Sequence, residues 1–342
     1  MYRVTGDRKP TVQIPALFRQ GLEVASPLVS AGAAAMVSGC AHPLSILDPA
    51  TGGTAAIAAL WWIMLAGALV ILAGVTAAFL YSFRRGRGGR DISPGLFLWG
   101  GGLAFPAVVL TVLMSFVLPA GQAILLADED DPVRVRAVGH QWWWEFVHPD
   151  APGGPVYAAA DLHIPAGRPV EVTLVSTNVI HSFWVPRIAR KLDVVPGHAN
   201  RLRLRADRPG VYEGVCAEFC GLHHAHMRFR VIAHAADGYE SYLAGLVRSA
   251  PAANHPGAAD FAVHCGGCHS VNARERSLAP QLAGLGDRAF LGGGVVTYRA
   301  PADLRRWLRE HERLKPRSRK PGHDDIPDAT LERIVDYLES AP

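Results

Sequence analysis

The spacing of apolar and polar positions divides the chain into stretches of different kinds. From Ala55 to Tyr81 no residue is charged, and Leu96 to Leu118 is a second uncharged run. At about 1.5 Å of rise per residue, each is long enough as a helix to cross the hydrocarbon core of a bilayer. After Pro132 the runs become short and alternating, as in Val133-Arg134-Val135-Arg136-Ala137-Val138 and Arg201-Leu202-Arg203-Leu204-Arg205, with Gly and Pro between them. That is the period of half-buried strands in an antiparallel sandwich. Beyond His234 the period turns helical, with a short amphipathic helix around Tyr239 to Val247. Helical patterns then follow at Ala258 to His264, Pro301 to His311 and Pro327 to Leu338, and Ser249 to Gly257 reads as a linker by composition. The expected architecture is a multidomain membrane protein: an N-terminal segment (1–40), a two-helix transmembrane hairpin (41–130, spans about 55–81 and 96–118), an all-β sandwich (131–234), a linker (235–257) and an all-α domain (258–342).

Charge gives this scheme a direction. Arg84-Arg85-Gly86-Arg87-Gly88-Gly89-Arg90 lies between the two apolar runs, and a short loop this rich in arginine stays in the cytoplasm, which puts both flanking ends outside. Pro106 and Gly100-Gly101-Gly102 in the second run are tolerated where neighbouring helices re-satisfy the backbone, pointing to a partner subunit. Trp61, Trp62 and Trp99 suit an interfacial aromatic belt. The first 40 residues carry Arg3, Arg8, Lys9 and Arg19, then an apolar run from Val24 to Val37 broken by Pro27, and end in Val37-Ser38-Gly39-Cys40. This looks like a secretory signal with a lipoprotein cleavage box, in which Cys40 is the lipidated first residue. The other reading of Cys40 is a small buried thiol. Asp7 and Glu23 are unusual in such a segment and leave the true start codon open. A net charge of +4 over 342 residues, 49% of them hydrophobic, allows two or three domains and does not suggest a nucleic-acid binder.

Chemistry concentrates in Cys216-Ala217-Glu218-Phe219-Cys220-Gly221-Leu222-His223-His224-Ala225-His226-Met227. Thiolate and thioether mixed with imidazole suit copper. Two thiols spaced four apart and facing one pocket can bridge two copper ions, leaving one imidazole and one weak ligand for each. The second imidazole must come from elsewhere, and His181, in a turn just after the alternating strand Val170 to Val175, is the candidate. A disulfide between Cys216 and Cys220, or a zinc site, is the alternative reading of the two thiols.

The pattern resembles the binuclear copper A site of subunit II of the haem-copper oxidases. Carried over by position, the resemblance implies that Cys216 and Cys220 are the bridging thiolates and His181 and His224 the terminal imidazoles. Met227 and the backbone carbonyl of Glu218 become the weak axial ligands. It also implies a magnesium ion at the boundary with subunit I, with the Glu218 side chain a candidate ligand and Asp193, in Lys191-Leu192-Asp193, a weaker one. His223 and His226 are left as loop or outer groups. Residues 131–234 are similar to the family's cupredoxin domain. Gly139-His140-Gln141-Trp142-Trp143-Trp144-Glu145-Phe146 is similar to its aromatic stretch, in which Trp142 takes the position where electrons enter; core and interface filling is the competing reading of the three tryptophans.

Cys265-Gly266-Gly267-Cys268-His269 is the attachment pattern of a c-type haem, with both thiols bonded to the porphyrin and His269 on the iron. In isolation such a string also fits a zinc half-site or a redox dithiol. Ala279-Pro280-Gln281-Leu282 resembles the proline loop that packs on the proximal histidine of cytochromes c. Those proteins usually supply a late Met as the sixth ligand, from a segment of the form Lys-Pro-Gly-x-x-Met-Pro. This chain has no Met after Met227. Aligning Lys315-Pro316-Arg317-Ser318-Arg319-Lys320-Pro321 puts Arg317 in place of the Gly and Lys320 in place of the Met. His323 is a second candidate, and a vacant or water-bound iron a third possibility.

The resemblance as a whole implies subunit II of a cytochrome c oxidase with a fused cytochrome c, of the caa(3) type. The chain is then part of an enzyme, passing electrons from an external donor (a cytochrome c or an upstream complex) through haem c and copper A to subunit I, where oxygen is reduced. Its expected partners are subunit I, the other oxidase subunits and membrane lipid. Its expected place is the bacterial cytoplasmic membrane, crossed twice, with the copper and haem domains on the periplasmic face. Two alternatives are a copper A subunit of a nitric-oxide or nitrous-oxide reductase and a metal-free structural subunit of a quinol oxidase.

Overall fold

The computed structural model describes residues 42–84, 93–125, 131–235, 237–248 and 250–340. The expected signal segment with Cys40, and residues 85–90 of the arginine loop, lie outside the described residues. Helix α1 (Gly52–Arg84) and helix α2 (Phe105–Leu125) contain the two uncharged runs, α2 being preceded by a π-helical segment, Leu96–Ala104. Pro106 has no N–H to give and crowds the preceding turn, and a widened turn relieves that conflict. Both helices are long and apolar enough to cross a membrane. Their apolar side chains are exposed on all sides, Ile63 by 66% and Val70 by 72%, which only lipid or another chain can cover without cost.

The middle of the chain is a sandwich of two five-stranded sheets. One runs β3 (Val156–Ala159), β2 (Trp143–His148), β1 (Val133–His140), β5 (Val170–Ser176), β8 (Asn200–Leu204). The other runs β4 (Asp161–Pro165), β10 (Arg228–His234), β9 (Gly210–Cys216), β6 (His181–Trp184), β7 (Leu192–Val194). The sequence predicts an antiparallel sandwich, but β1 pairs with β5, and β4 with β10, in parallel. Strands joined by a long connection can pair in parallel, whereas a short hairpin forces the antiparallel sense, and alternation of side chains is the same in both. Side chains from both sheets, among them Trp144, Phe146, Phe183 and Phe229, fill the space between them.

Helix α3 (Gly238–Arg248) lays Tyr239, Leu243 and Leu246 into the same core. Beyond it come α4 (Ala258–His264), a two-stranded hairpin of β11 (Phe290–Leu291) and β12 (Val296–Thr297), α5 (Pro301–Leu314) and α6 (Asp328–Glu339). The hairpin departs from the all-α expectation. Three consecutive glycines, Gly292, Gly293 and Gly294, with φ of 62°, 75° and 101°, make its turn, and a short glycine-rich turn carries no periodicity to read. This C-terminal part has its own core, built on Phe261, Leu285, Leu308, Leu331 and Ile334. It also packs on the sandwich: the Tyr157 amide donates to the Ala273 carbonyl at 2.8 Å, and Arg274 donates to the carbonyls of Pro152 and Gly154.

Candidate metal and haem centres

The register of β6 against β9 places Phe183 opposite Cys216, so that His181, at the start of β6, stands beside the end of β9. The chain then loops from Cys216 to Met227 and returns into β10. The Cys216 amide donates to the Met227 carbonyl at 3.1 Å and closes the loop, and Gly221, at φ 114°, turns it back on itself. Inside the loop the donor atoms converge. Cys216 Sγ lies 3.8 Å from Cys220 Sγ, 3.8 Å from His181 Nδ1 and 3.3 Å from the Glu218 carbonyl. Cys220 Sγ lies 3.6 Å from His224 Nδ1 and 3.8 Å from Met227 Sδ. Both thiols are free, and His181, Cys216, Cys220 and Met227 are buried.

The electrostatics of this pocket call for a cation. A hydrogen bond from the Cys220 thiol pulls Cys216 down, and the same contact drives Cys220 up. One buried thiolate therefore opposes the second, and a bound metal ion is what holds both deprotonated. The donor set is soft sulfur with imidazole, which fits copper.

Groups behind the donors orient them. His181 Nε2 donates to Asn178 Oδ1 at 3.2 Å, which leaves Nδ1 facing the thiols. Gly139 backs the same ring: a Cβ at this position would sit 2.8 Å from His181 Cδ2. Gln141 Nε2 and Trp142 Nε1 both donate to the Cys220 carbonyl, at 2.9 and 3.0 Å. The three tryptophans of the aromatic stretch thus part company. Trp142 touches the sulfur-bearing loop, Trp143 stacks on His140 with ring centroids 4.1 Å apart, and Trp144 is core, packed on Phe183 and Phe229. Asp193 is exposed opposite Ser182 on β7, and the Glu218 side chain is half-buried.

His223 and His226 stand on the side facing the C-terminal part. His223 packs edge-on against Trp142 at 4.8 Å and donates from Nε2 to the Pro316 carbonyl at 2.6 Å. Lys315, itself buried, donates from Nζ to the carbonyls of Gly292 (2.7 Å), Trp142 (3.0 Å) and His226 (3.4 Å). Burial pushes its ammonium down to about 8, partly offset by Cys220, so it is still charged at neutral pH.

In the C-terminal part, His269 follows α4 and donates from Nδ1 to the Pro280 carbonyl at 2.7 Å, leaving Nε2 as the free nitrogen. Cys265 is half-buried and Cys268 exposed. Two apolar side chains near the motif in sequence, Val263 and Leu278, are 79% and 85% exposed, a bare surface of the kind a porphyrin face covers. Lys320 lies within electrostatic reach of both Cys265 and His269. Its Nζ is buried with no hydrogen-bond partner, and burial pushes it down to about 8. An orphaned buried amine is costly unless something accepts its lone pair or its protons. His323, also buried, packs on His311 at 5.8 Å, and burial pushes it down to about 4. These groups fit a c-type haem with a nitrogen sixth ligand.

Gly139, Asn178, Gln141 and Lys315 are the residues that motif reading passes over, because none is a ligand and each acts through a fold contact.

The family described as "Cytochrome C oxidase subunit II, periplasmic domain" matches residues 155–234. "Cytochrome c oxidase subunit 2" of Alkalihalophilus pseudofirmus is 32% identical over 245 residues, covering 68% of this chain and 70% of that protein. The protein of the same name from Bacillus sp. (strain PS3) is 30% identical over 250 residues, covering 68% and 69%. The periplasmic domain of subunit II of cytochrome oxidase of Bradyrhizobium japonicum, a crystal structure, is 24% identical with a TM-score of 0.32, covering 34% of this chain and 94% of that one. The chain therefore belongs to the cytochrome c oxidase subunit II family.

Proposed function

We propose that the chain is the electron-input subunit of a terminal oxidase of the caa(3) type, passing electrons from an external donor through a covalent haem c and a binuclear copper centre to subunit I. The observation that carries this reading is the convergence of two thiols, an imidazole and a thioether of the 216–227 loop with the His181 imidazole of β6. Cys216 and Cys220 would hold the copper pair between them, His181 and His224 would complete it, and Met227 and the Glu218 carbonyl would be its weaker ligands. Bound copper supplies a one-electron carrier. The protein's part is to hold the donors in place before and after each electron passes, which the hydrogen bonds to His181 and to the Cys220 carbonyl do. Trp142 joins this loop to the C-terminal domain and is the point at which electrons enter. Glu218 is the candidate, and Asp193 a weaker one, for a magnesium ion at the subunit I boundary.

Residues 258–342 form the haem c domain on this reading, joined to the 131–234 copper domain by 235–257. Cys265 and Cys268 carry the porphyrin and His269 the iron, and the unpartnered amine of Lys320 favours it over His323 as sixth ligand. Helices α1 and α2 cross the membrane twice and put both domains on the periplasmic face. The test uses the whole chain in detergent: two coppers and one covalent haem per chain, and an electron spin resonance signal of one electron shared by two coppers that Cys216→Ser abolishes. One copper per chain in the unaltered protein refutes the bridging arrangement.

A further inference from the structure

Lys315 is a buried cation that neither proposed centre needs as a ligand. Its three acceptors belong to separate segments: Trp142 lies between β1 and β2 against the copper loop, His226 lies in that loop, and Gly292 opens the hairpin turn of the C-terminal domain. The acceptors are backbone carbonyls, so the contact fixes main chain against main chain. At the same place the Arg228 amide donates to the Gly293 carbonyl at 3.1 Å, and a Cβ on Gly293 would lie 2.1 Å from the His226 carbonyl oxygen. The next residue, Pro316, accepts from His223, whose ring lies against Trp142. The bonds thus run from Lys315 to the Trp142 carbonyl, through the Trp142 indole to the Cys220 carbonyl, and so to a thiol of the copper loop.

We propose that Lys315 is a positioning residue for electron transfer between the two domains, holding the C-terminal domain in register against the Trp142 edge of the copper loop. This rests on the haem and copper reading above, but the docking it describes can be observed without either metal. The ammonium neutralises three carbonyl dipoles that would otherwise face each other unpaired in the interface. Its neighbour five positions on, Lys320, is the proposed iron ligand, so a single loop reaches both centres.

The test is Lys315→Met in the full chain, a side chain of similar length that cannot donate. Hydrogen exchange of the Arg228 amide reads the interface, and time-resolved absorption reads transfer from haem to copper. The expected result is exchange and transfer each changed by about tenfold or more, the scale of one lost charge-assisted hydrogen bond, exchange faster and transfer slower, with copper and haem content and the shared-electron signal unchanged. Gly293→Ala opens the same interface without touching Lys315 and is expected to act alike. Unchanged Arg228 exchange in Lys315→Met, or faster exchange with unchanged transfer, overturns the proposal. An unaltered chain without haem overturns the reading of the C-terminal domain instead, and Arg228 exchange then still decides whether Lys315 holds the interface.

Discussion

Gly139 shows how closely the copper loop is backed. With 2.8 Å between a Cβ there and the His181 ring, Gly139→Ala must move the imidazole, and copper content and the shared-electron signal are expected to fall together when the variant is loaded alongside the parent. Asn178→Ala leaves room but removes the acceptor that orients His181. The expected loss is about 10–100-fold in copper affinity by competition with a chelator, the usual scale for a partner behind a metal ligand. At the iron, a nitrogen sixth ligand predicts no sulfur-to-iron charge-transfer band in the near infrared of the ferric chain. Lys320→Ala is expected to turn a low-spin haem high-spin, while the same outcome from His323→Ala alone moves the assignment to His323. The sulfur donors were legible in the sequence because Cys and Met are scarce, five of each in 342 residues, whereas His224 was separated from His223 and His226 only by the resemblance. Gly139 and Asn178 were not legible, because a glycine or asparagine in a strand or turn carries no mark until the fold puts a ring against it.

Among the elements, β1 shows where alternation stops being informative. Val135, Ala137 and Gly139 face the core as the period predicts, but Val138, on the opposite face, is buried too, so the end of β1 is covered on both faces. The pairing sense of β1 with β5 was equally hidden, since the period of two is blind to direction. Helix α3, legible as amphipathic, turns out to be part of the sandwich core through buried His148, whose Nδ1 bonds the Tyr239 hydroxyl at 2.9 Å. Burial pushes His148 from 6.5 down to about 4. The unfolded chain therefore takes up a proton below 6.5 that the folded chain refuses until about pH 4. The contribution is fully present above pH 6.5 and lost as pH falls to about 4, a change of about 3 kcal/mol. Urea unfolding followed between these pH values is expected to show this acid limb, flattened in His148→Gln. An equal slope in the variant rules His148 out as its source.

At the scale of the whole molecule, the spacing of apolar and polar positions announced three kinds of stretch: lipid-length apolar runs, alternating strands and helical periods. How the last two touch was not legible, because the contacts run through carbonyls of Trp142, His226 and Gly292 that sequence cannot rank. Orientation across the membrane is testable without any metal. Reporter fusions at Gly88 are expected to score cytoplasmic and fusions at Gly238 external, and the reverse at either site contradicts the proposed topology.

Docking of the C-terminal domain on the Trp142 edge changes the order of the kinetics. A diffusing donor reaches its acceptor by collision, at a rate set by concentration and screened by salt. A donor already seated on the same chain is supplied at an effective concentration fixed by its tether and its contacts. On the proposed haem c reading, passage from haem to copper is a first-order event, indifferent to dilution and largely to ionic strength. On the same reading, only the encounter with an external donor keeps the salt dependence of a collision between two charged molecules.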